Sequence, residues 1–405
     1  MTLMKARILI VTQHFPPENS GNASRIYDLS RNLVELGCEV TVISPYPTFP
    51  HGSYKKTWKL YSYREIDGIK HFSIFAWQPT YKNPSFVGRI GYYITFPLHA
   101  IWWAFLKRKE YDVIITSAPP IFSGLTGYII KKISKKKWFF DIRDLWIDAS
   151  VELGFLKKKS FFEKMSRSYE RICYRNCDRI TVTTEEIKKR IVDAYKISID
   201  KIILLPNGVD TKLFKPTTVK KNRIMYAGNI GYAQDLEKVI LAVKKVNENF
   251  PLEFYLVGDG DIKNDLMELV KKEGLENIII FTGPLEREKI PAVIAGSLIG
   301  VAPLKDLVSL RYAIPTKVYE YMSCGIPFLA TGKGEIENFA RISKAGVIAK
   351  NDIQSIYENI IYLLEKKILM ENMGIHGREF VNKYYDRKKI AEHLLINIEN
   401  VVLHD

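Results

Sequence analysis

The stretch Lys5 to Pro17, KARILIVTQHFPP, sets the fold of the first half of the chain. The unbroken apolar run Ile8 to Val11 is typical of a parallel strand buried on both faces, and the prolines end it in a turn. The loop ENSGNAS follows, then a helix to about Leu36, a capping glycine and the strand EVTVIS. This strand–loop–helix–strand unit predicts a doubly wound α/β domain.

The same pattern restarts at residues 223–231, RIMYAGNIG, which predicts a second doubly wound domain. Residues 206–222 between the two contain Pro, Gly and polar residues without periodicity, which indicates a linker. We therefore expect a first domain over residues 1–205 and a second over residues 223–384. The length of 405 residues agrees with two or three domains.

Positive charge is concentrated in the first half. The chain has a net charge of +15; residues 1–205 carry 33 Lys and Arg against 19 Asp and Glu, whereas residues 206–405 carry 27 against 26. Such a basic half favours an acidic partner, either nucleic acid or an anionic membrane, unless the lysines are merely solvated. Without a stacking motif of the RNA-binding type, we expect no nucleic acid. The four scattered cysteines predict reduced thiols.

An uncharged run of 17 residues, Ile90 to Leu106, is short for a membrane span of about 20 residues. Its aromatic residues, among them Trp102 and Trp103, and the basic segments that follow are typical of a membrane interface. The alternative is a helix of the protein core. No secretory signal is recognised before the first strand. We expect a cytoplasmic protein bound peripherally to the inner face of the cell membrane.

The segment 311–327, RYAIPTKVYEYMSCGIP, predicts a site for a nucleotide diphosphate. Pro315 and Thr316 open a short helix whose free N–H groups and dipole favour an anion, and Lys317 adds a charge there. Glu320 lies on the same face as Lys317 and could bind ribose hydroxyls. The alternative is an amphipathic helix with an exposed Lys–Glu pair.

Two strand ends carry further candidates. Gly228 and Gly231 free the backbone to contact phosphate before a helix. Asp141, Arg143, Asp144 and Asp148 follow the strand KWFFDI, at the carboxyl end where open parallel sheets bind ligands. The alternative for Arg143 and Asp144 is a structural ion pair. Gly21 in the first loop permits close approach of a ligand, unless this is a simple turn.

The order of several motifs resembles retaining GT-B glycosyltransferases of family four, the type with an E-x7-E element. The motifs are FPPENSGNASR, FDIRDLW, LPNGVD, YAGNIG, LVGDG, FTGPL and PTKVYEYMSCGIP. The resemblance implies two Rossmann-like domains facing a central cleft, with a C-terminal helix over residues 385–405 that crosses back to the first domain.

The resemblance also assigns roles to residues. It implies an acceptor loop at Gly21 and Asn22, and catalytic roles for Asp144, Arg143 and Lys317. The donor site that it implies comprises Gly228, Asn229, Gly231, Gly283, Leu285, Arg311, Tyr312, Thr316, Lys317, Val318 and Glu320. Tyr312 stands where the family has its first Glu. Asn229 and Gln234 replace the family's basic loop residues, so the diphosphate charge falls to Lys317, with Arg311 second.

These observations predict a retaining glycosyltransferase. We expect it to move a sugar of the N-acetylhexosamine type from a UDP-sugar to a lipid-linked or surface-glycan acceptor. We assign no Asp-x-Asp pair at a strand end to a metal, and we expect no divalent metal and no cofactor. The alternatives are a nucleotide-sugar epimerase on the same fold and a non-catalytic membrane or nucleic-acid binding module.

Overall fold

The computed structural model describes residues 6–18, 20–48, 53–79 and 86–403. The chain divides into two compact units, Met1–Asn207 with Arg387–Asp405 and Gly208–Asp386. Each unit is a parallel β-sheet with helices on it, which confirms the predicted α/β architecture of two Rossmann-like domains.

The sheet of the first unit has eight strands in the order β3-β4-β2-β1-β5-β6-β7-β8. All neighbours are parallel except the edge pair β3 and β4. The edge strand β3 was not expected, because its alternating basic and aromatic residues leave most of its side chains exposed. The strands are β1 (Arg7–Val11), β2 (Glu39–Pro45), β3 (Tyr61–Ile66), β4 (Ile69–Ile74), β5 (Val113–Ala118), β6 (Lys137–Ile142), β7 (Arg179–Val182) and β8 (Ile202–Leu204).

Six helices connect these strands: α1 (Gly21–Glu35), α2 (Phe86–Leu106), α3 (Ser123–Ser134), α4 (Trp146–Glu152), α5 (Phe161–Asn176) and α6 (Glu185–Tyr195). The helix α1 begins at Gly21, because Ser20 caps it by accepting a hydrogen bond of 3.2 Å from the N–H of Ala23. Gly21 and Asn22, expected in a ligand-binding loop, therefore lie in the first turn of a helix.

The apolar run 90–106 lies in α2. Trp103 is 8% exposed and its ring packs 4.9 Å from the rings of both Tyr61 and Phe72, whereas Trp102 is 53% exposed. Trp103 is thus a core residue, contrary to its expected place at a membrane. No helix within the described ranges has the length and apolarity needed to span a bilayer.

The second unit contains a wholly parallel six-stranded sheet in the order β11-β10-β9-β12-β13-β14. Its strands are β9 (Arg223–Ala227), β10 (Glu253–Val257), β11 (Ile279–Gly283), β12 (Ile299–Ala302), β13 (Phe328–Thr331) and β14 (Gly346–Ala349). Its helices are α7 (Leu236–Asn247), α8 (Lys263–Lys272), α9 (Ile290–Ala295), α10 (Thr316–Ser323), α11 (Glu335–Ser343), α12 (Ile353–Glu365) and α13 (Lys367–Tyr384).

Residues 208–222, expected as a linker, belong to the second unit, where Val209 and Phe214 are buried in its core. The last helix, α14 (Arg387–Leu403), packs against α1 in the first unit. Leu394 and Ile398 of α14 join the core of that unit, and the Arg387 guanidinium binds the buried carboxylate of Asp28.

Candidate functional site

In the second unit, three strand ends meet through glycines. The N–H of Gly258 donates to the carbonyl oxygen of Gly283 at 3.0 Å, and the N–H of Gly228 donates to that of Val257 at 2.9 Å. A Cβ atom on Gly258 would lie 2.0 Å from the carbonyl oxygen of Gly228, which only glycine avoids. These contacts hold the ends of β9, β10 and β11 together at the carboxyl edge of the sheet, where open parallel sheets bind ligands.

The helix α10 is fixed against this edge by Tyr321. Its buried hydroxyl accepts a hydrogen bond of 3.1 Å from the N–H of Ala227 and donates one of 3.2 Å to the carbonyl oxygen of Val301. Pro315 precedes the helix and Thr316 begins it, as the sequence predicted. The first turn of α10 is thereby placed beside the loop that follows β9.

Lys317 lies above the loop after β9. Its Nζ is 3.6 Å from the centre of the Tyr226 ring, a cation–π contact that contributes about 0.5–2 kcal/mol. Gly228 has a φ of 141°, and a Cβ there would lie 3.2 Å from that Nζ. Burial lowers the pKa of Lys317 to about 7, against which the nearby carboxylate of Glu320 raises it. This ammonium is thus poorly hydrated and suited to receive an anion.

The other predicted donor residues divide into two groups. Asn229 and Gly231 share the loop with Gly228, and the amide of Asn229 lies against Gly231. Gly283 ends β11 with a φ of 72°, and Leu285 packs partly buried against the core. Val318, by contrast, is fully buried, and its N–H donates to the carbonyl oxygen of Pro315. Val318 therefore supports the helix and presents no group to a ligand.

Arg311 is engaged elsewhere in the second unit. Its guanidinium lies 3.0 Å from a carboxylate oxygen of Asp306, which Lys333 also contacts at 2.6 Å. Tyr312 lies half-buried in the 3-10 helix Val308–Tyr312. Of the two cations expected to meet the diphosphate, Lys317 alone lies against the glycine loop.

In the first unit, Asp141 is a structural residue. Its carboxylate accepts hydrogen bonds from Arg25 at 2.8 and 3.1 Å, from Ser117 at 2.7 Å and from Thr181 at 2.8 Å. The charge of Arg25 keeps the pKa of Asp141 below its ordinary value although desolvation raises it. Asp148 is likewise held, in ion pairs with Arg167 at 2.8 Å and Arg190 at 3.1 Å.

Arg143 and Asp144 form no hydrogen-bonded pair with each other among the described contacts. Arg143 is buried and donates to the carbonyl oxygens of Ala118 at 3.2 Å and Pro119 at 3.0 Å, which ties the end of β5 to that of β6. Its Nη1 is buried without a hydrogen-bond partner in the described part of the chain. Burial lowers the pKa of Arg143 to about 10. Its geometry makes it a positioning residue for the loop that carries Asp144.

Asp144 is exposed at the carboxyl end of β6. Desolvation by the surrounding protein raises the pKa of its carboxyl, the charge of Arg143 opposes this, and the exposure of the side chain lets solvent offset part of the desolvation. An exposed carboxylate on a rigid strand end can accept a hydrogen bond from a hydroxyl group.

Three groups near these strand ends were not predicted from the sequence. The Nδ1 of His14 lies 2.6 Å from the buried carboxylate of Glu18, at the carboxyl end of β1. Tyr226, the platform under Lys317, was expected only as part of a strand. Tyr232 is an exposed aromatic in the glycine loop. Position after a strand could have indicated His14 and Tyr232, whereas the ring contact of Tyr226 joins residues far apart in sequence.

A pair of aspartates at a strand end was not considered when no metal was predicted. Asp259 and Asp261 directly follow β10 with one residue between them. Both are exposed, and Asp259 lies 3.6 Å from the ammonium of Lys263. Across the described ranges, no group of three or more His, Cys, Asp or Glu side chains is placed to hold a metal ion.

Two family models match the chain in succession. Residues 20–213 match Glycosyltransferase Family 4, and residues 210–380 match Glycosyl transferases group 1. Over 97% of the chain, 22% of residues are identical to WcaI of Escherichia coli (strain K12), covering 99% of that protein, whose name assigns it to the colanic acid biosynthesis glycosyl transferases. Over 82% of the chain, 21% are identical to a phosphatidylinositol N-acetylglucosaminyltransferase of Arabidopsis thaliana, covering 68% of it.

A solved structure has the same fold. The chain resembles Anabaena Alr3699/HepE in complex with UDP-glucose with a TM-score of 0.71 and 14% identity, over 97% of this chain and 99% of the other. Together with the geometry of the glycine loop and α10, these matches confirm the predicted enzyme class, whereas the retaining stereochemistry stays a prediction. The chain is a glycosyltransferase of the GT-B fold, with a family 4 domain followed by a group 1 domain.

Proposed function

We propose that the protein is a retaining glycosyltransferase that moves an N-acetylhexosamine from a UDP-sugar to a lipid-linked or surface-glycan acceptor. The observation that carries the proposal is the ammonium of Lys317, held against Gly228 and the Tyr226 ring at the start of α10. Departure of the sugar leaves negative charge on the diphosphate, and a preorganised, poorly hydrated cation stabilises that charge best.

The donor site is proposed on the second unit. The N–H groups at the start of α10 and in the loop 228–231 would bind the diphosphate with Lys317, and Glu320 would bind the ribose hydroxyls. The backbone of Gly283 to Leu285 would flank the base. The UDP-glucose bound to HepE supports UDP as the nucleotide, and the N-acetylglucosaminyltransferase of Arabidopsis supports the sugar.

The transfer step is proposed to proceed on one face of the sugar. The bond from the anomeric carbon to the phosphate oxygen breaks, that oxygen accepts the proton of the acceptor hydroxyl, and the hydroxyl oxygen bonds to the carbon from the same side, so the configuration is retained. Asp144, exposed on the first unit, would orient the acceptor hydroxyl or sugar. Arg143 would act through Asp144 by holding its loop. The diphosphate charge would be met by Lys317 and backbone N–H groups, so we propose that no divalent metal takes part.

The acceptor is proposed to be lipid-linked, with the protein bound peripherally at the inner face of the cell membrane. Support comes from one exposed face of α2, where Ile94, Leu98, Trp102 and Phe105 follow one another at helical spacing. The basic residues 107–109 follow directly, an arrangement typical of an interfacial helix.

A thermal-shift panel of nucleotides and nucleotide sugars, with and without EDTA, tests the donor. A ligand that binds only the folded state raises the melting temperature by mass action. We expect a shift with UDP and a UDP-N-acetylhexosamine that EDTA does not change. Transfer of radiolabelled sugar into a lipid extract, with an α-linked product from an α-linked donor, would complete the test. No shift with any nucleotide, or conversion of the UDP-sugar without an acceptor, would overturn the proposal.

A further inference from the structure

Outside the α2 face, the first unit exposes a second apolar surface where α4 turns into α5, which we call the α4–α5 corner and define as residues 153–176. Phe155 is 69% exposed, Phe161 74% and Phe162 63%, and Leu153 and Met165 are also exposed. Large apolar side chains clustered in this way on a surface mark an interaction site.

The exposed side of α5 is divided into two stripes. Phe161, Met165 and Ile172, separated by four and seven residues, form an apolar stripe. Lys164, Arg171 and Arg175, with separations of seven and four residues, form a basic stripe beside it. The loop adds three exposed cations, Lys157, Lys158 and Lys159.

No exposed acidic side chain balances these cations within residues 153–176, all of which the structure describes. The two glutamates of this range, Glu163 and Glu170, are buried. The carboxylate of Glu163 accepts a hydrogen bond of 2.8 Å from Arg167, and that of Glu170 binds the hydroxyl of Tyr195. The surface that the corner presents is therefore apolar and purely cationic.

The corner is built on a fixed framework. Ser160 caps α5 by accepting a hydrogen bond of 3.2 Å from the N–H of Glu163. Asp148 of α4 binds Arg167 of α5 and Arg190 of α6. The phenylalanines thus project from anchored backbone, which lowers the entropy lost when they enter another phase.

We infer that the α4–α5 corner is a second contact with an anionic lipid bilayer, into which Phe155, Phe161 and Phe162 insert while the lysines and arginines bind lipid phosphates. The pairing of inserted aromatic rings with flanking cations is what a peripheral protein needs to bind an anionic interface stably. The inference rests on the proposed peripheral membrane association and adds a site that the α2 face does not include.

Sedimentation with vesicles tests the inference on the full chain. The vesicles are phosphatidylcholine alone, and phosphatidylcholine mixed with phosphatidylglycerol. We expect Phe161→Ser with Phe162→Ser to lower the partition coefficient on the anionic vesicles by about tenfold or more. Exchanging Lys157, Lys158 and Lys159 for Gln should weaken it by about fivefold per charge, on the anionic vesicles only.

The matched control is Val219→Ser with Ile368→Ser, two equally exposed apolar residues of the second unit, which should leave partition unchanged. All variants should keep the UDP thermal shift, because the donor site lies in the second unit. A missing UDP shift in the wild type would refute the proposed donor but not the corner.

Three results would overturn the inference: absence of vesicle binding by the wild type, unchanged partition of the phenylalanine variant, or a change in its sedimentation mass without a change in vesicle binding. The last result would identify the corner as an interface between copies of the chain.

Discussion

The ammonium of Lys317 lies 3.6 Å from the centre of the Tyr226 ring, on the side where Gly228 presents bare backbone. The ring takes the place of water on one side of the charge, and the glycine leaves room on the other for a ligand. This arrangement converts a common helix-start lysine into a cation with a lowered pKa of about 7.

Lys317→Met should reduce turnover by a factor on the order of 100, because charge on the leaving diphosphate then loses its nearest cation. The melting temperature without ligand should stay equal or rise, since a poorly hydrated charge is removed. Enzyme assays and calorimetry measure the two effects. Lys333→Met, which removes an exposed lysine paired with Asp306, is the control and should leave turnover unchanged.

The affinity for UDP should decrease as the pH rises above about 7 in the wild type. Lys317 loses its proton there, and each pH unit then costs up to about tenfold, less where bound diphosphate raises the pKa. Isothermal titration between pH 6 and 9, values on either side of that pKa of about 7, measures the slope. In Lys317→Met the slope should vanish; an equal slope in both proteins would assign the titration to another group.

The same pKa affects folding stability without ligand. The folded state binds this proton only below about pH 7, whereas the unfolded chain holds it up to about 10.5. The unfolded state therefore carries more protons between these values, so this group makes stability increase with pH across that interval. Urea melts of the wild type and Lys317→Met across it should differ in slope with that sign.

Gly228→Ala should abolish most UDP binding. Alanine is strained at a φ of 141°, and its Cβ would displace the Lys317 ammonium. Gly274→Ala separates strain from contact, because Gly274 has a φ of 67° with open space around it. We expect both to lower the melting temperature, but only Gly228→Ala to remove the UDP shift.

Asp144→Asn and Asp141→Asn should fail in different ways. Asp144 is exposed, so the amide should leave the melting temperature nearly unchanged and reduce turnover about 10- to 1,000-fold. Asp141 accepts four buried hydrogen bonds, so its amide should destabilise the fold by several kcal/mol. Normal turnover in Asp144→Asn would remove that residue from the mechanism.

The architecture was predictable because buried parallel strands and helix caps leave local signals, such as Ile8 to Val11 and Pro315. Side-chain environments were not, since they depend on contacts between distant residues. Trp102 and Trp103 are neighbours in one apolar run, yet only packing against Tyr61 and Phe72 decides which of them is buried.

The candidate site shows the same division. The position of Lys317 at a helix start followed from spacing, whereas its platform on Tyr226 did not. Arg143 was expected to face a ligand, but it binds the carbonyl oxygens of Ala118 and Pro119. Arg311 was expected to meet the diphosphate, but Asp306 holds it.

The main-chain contact between Gly258 and Gly228 has a consequence for how the enzyme could change its donor. The path of the loop after β9 is set by backbone packing and by the hydrogen bond between Gly228 and Val257. Asn229 and Tyr232 are exposed on that path and do not determine it. Selection, natural or in the laboratory, can therefore exchange these two side chains to suit a new nucleotide sugar while the loop keeps its shape.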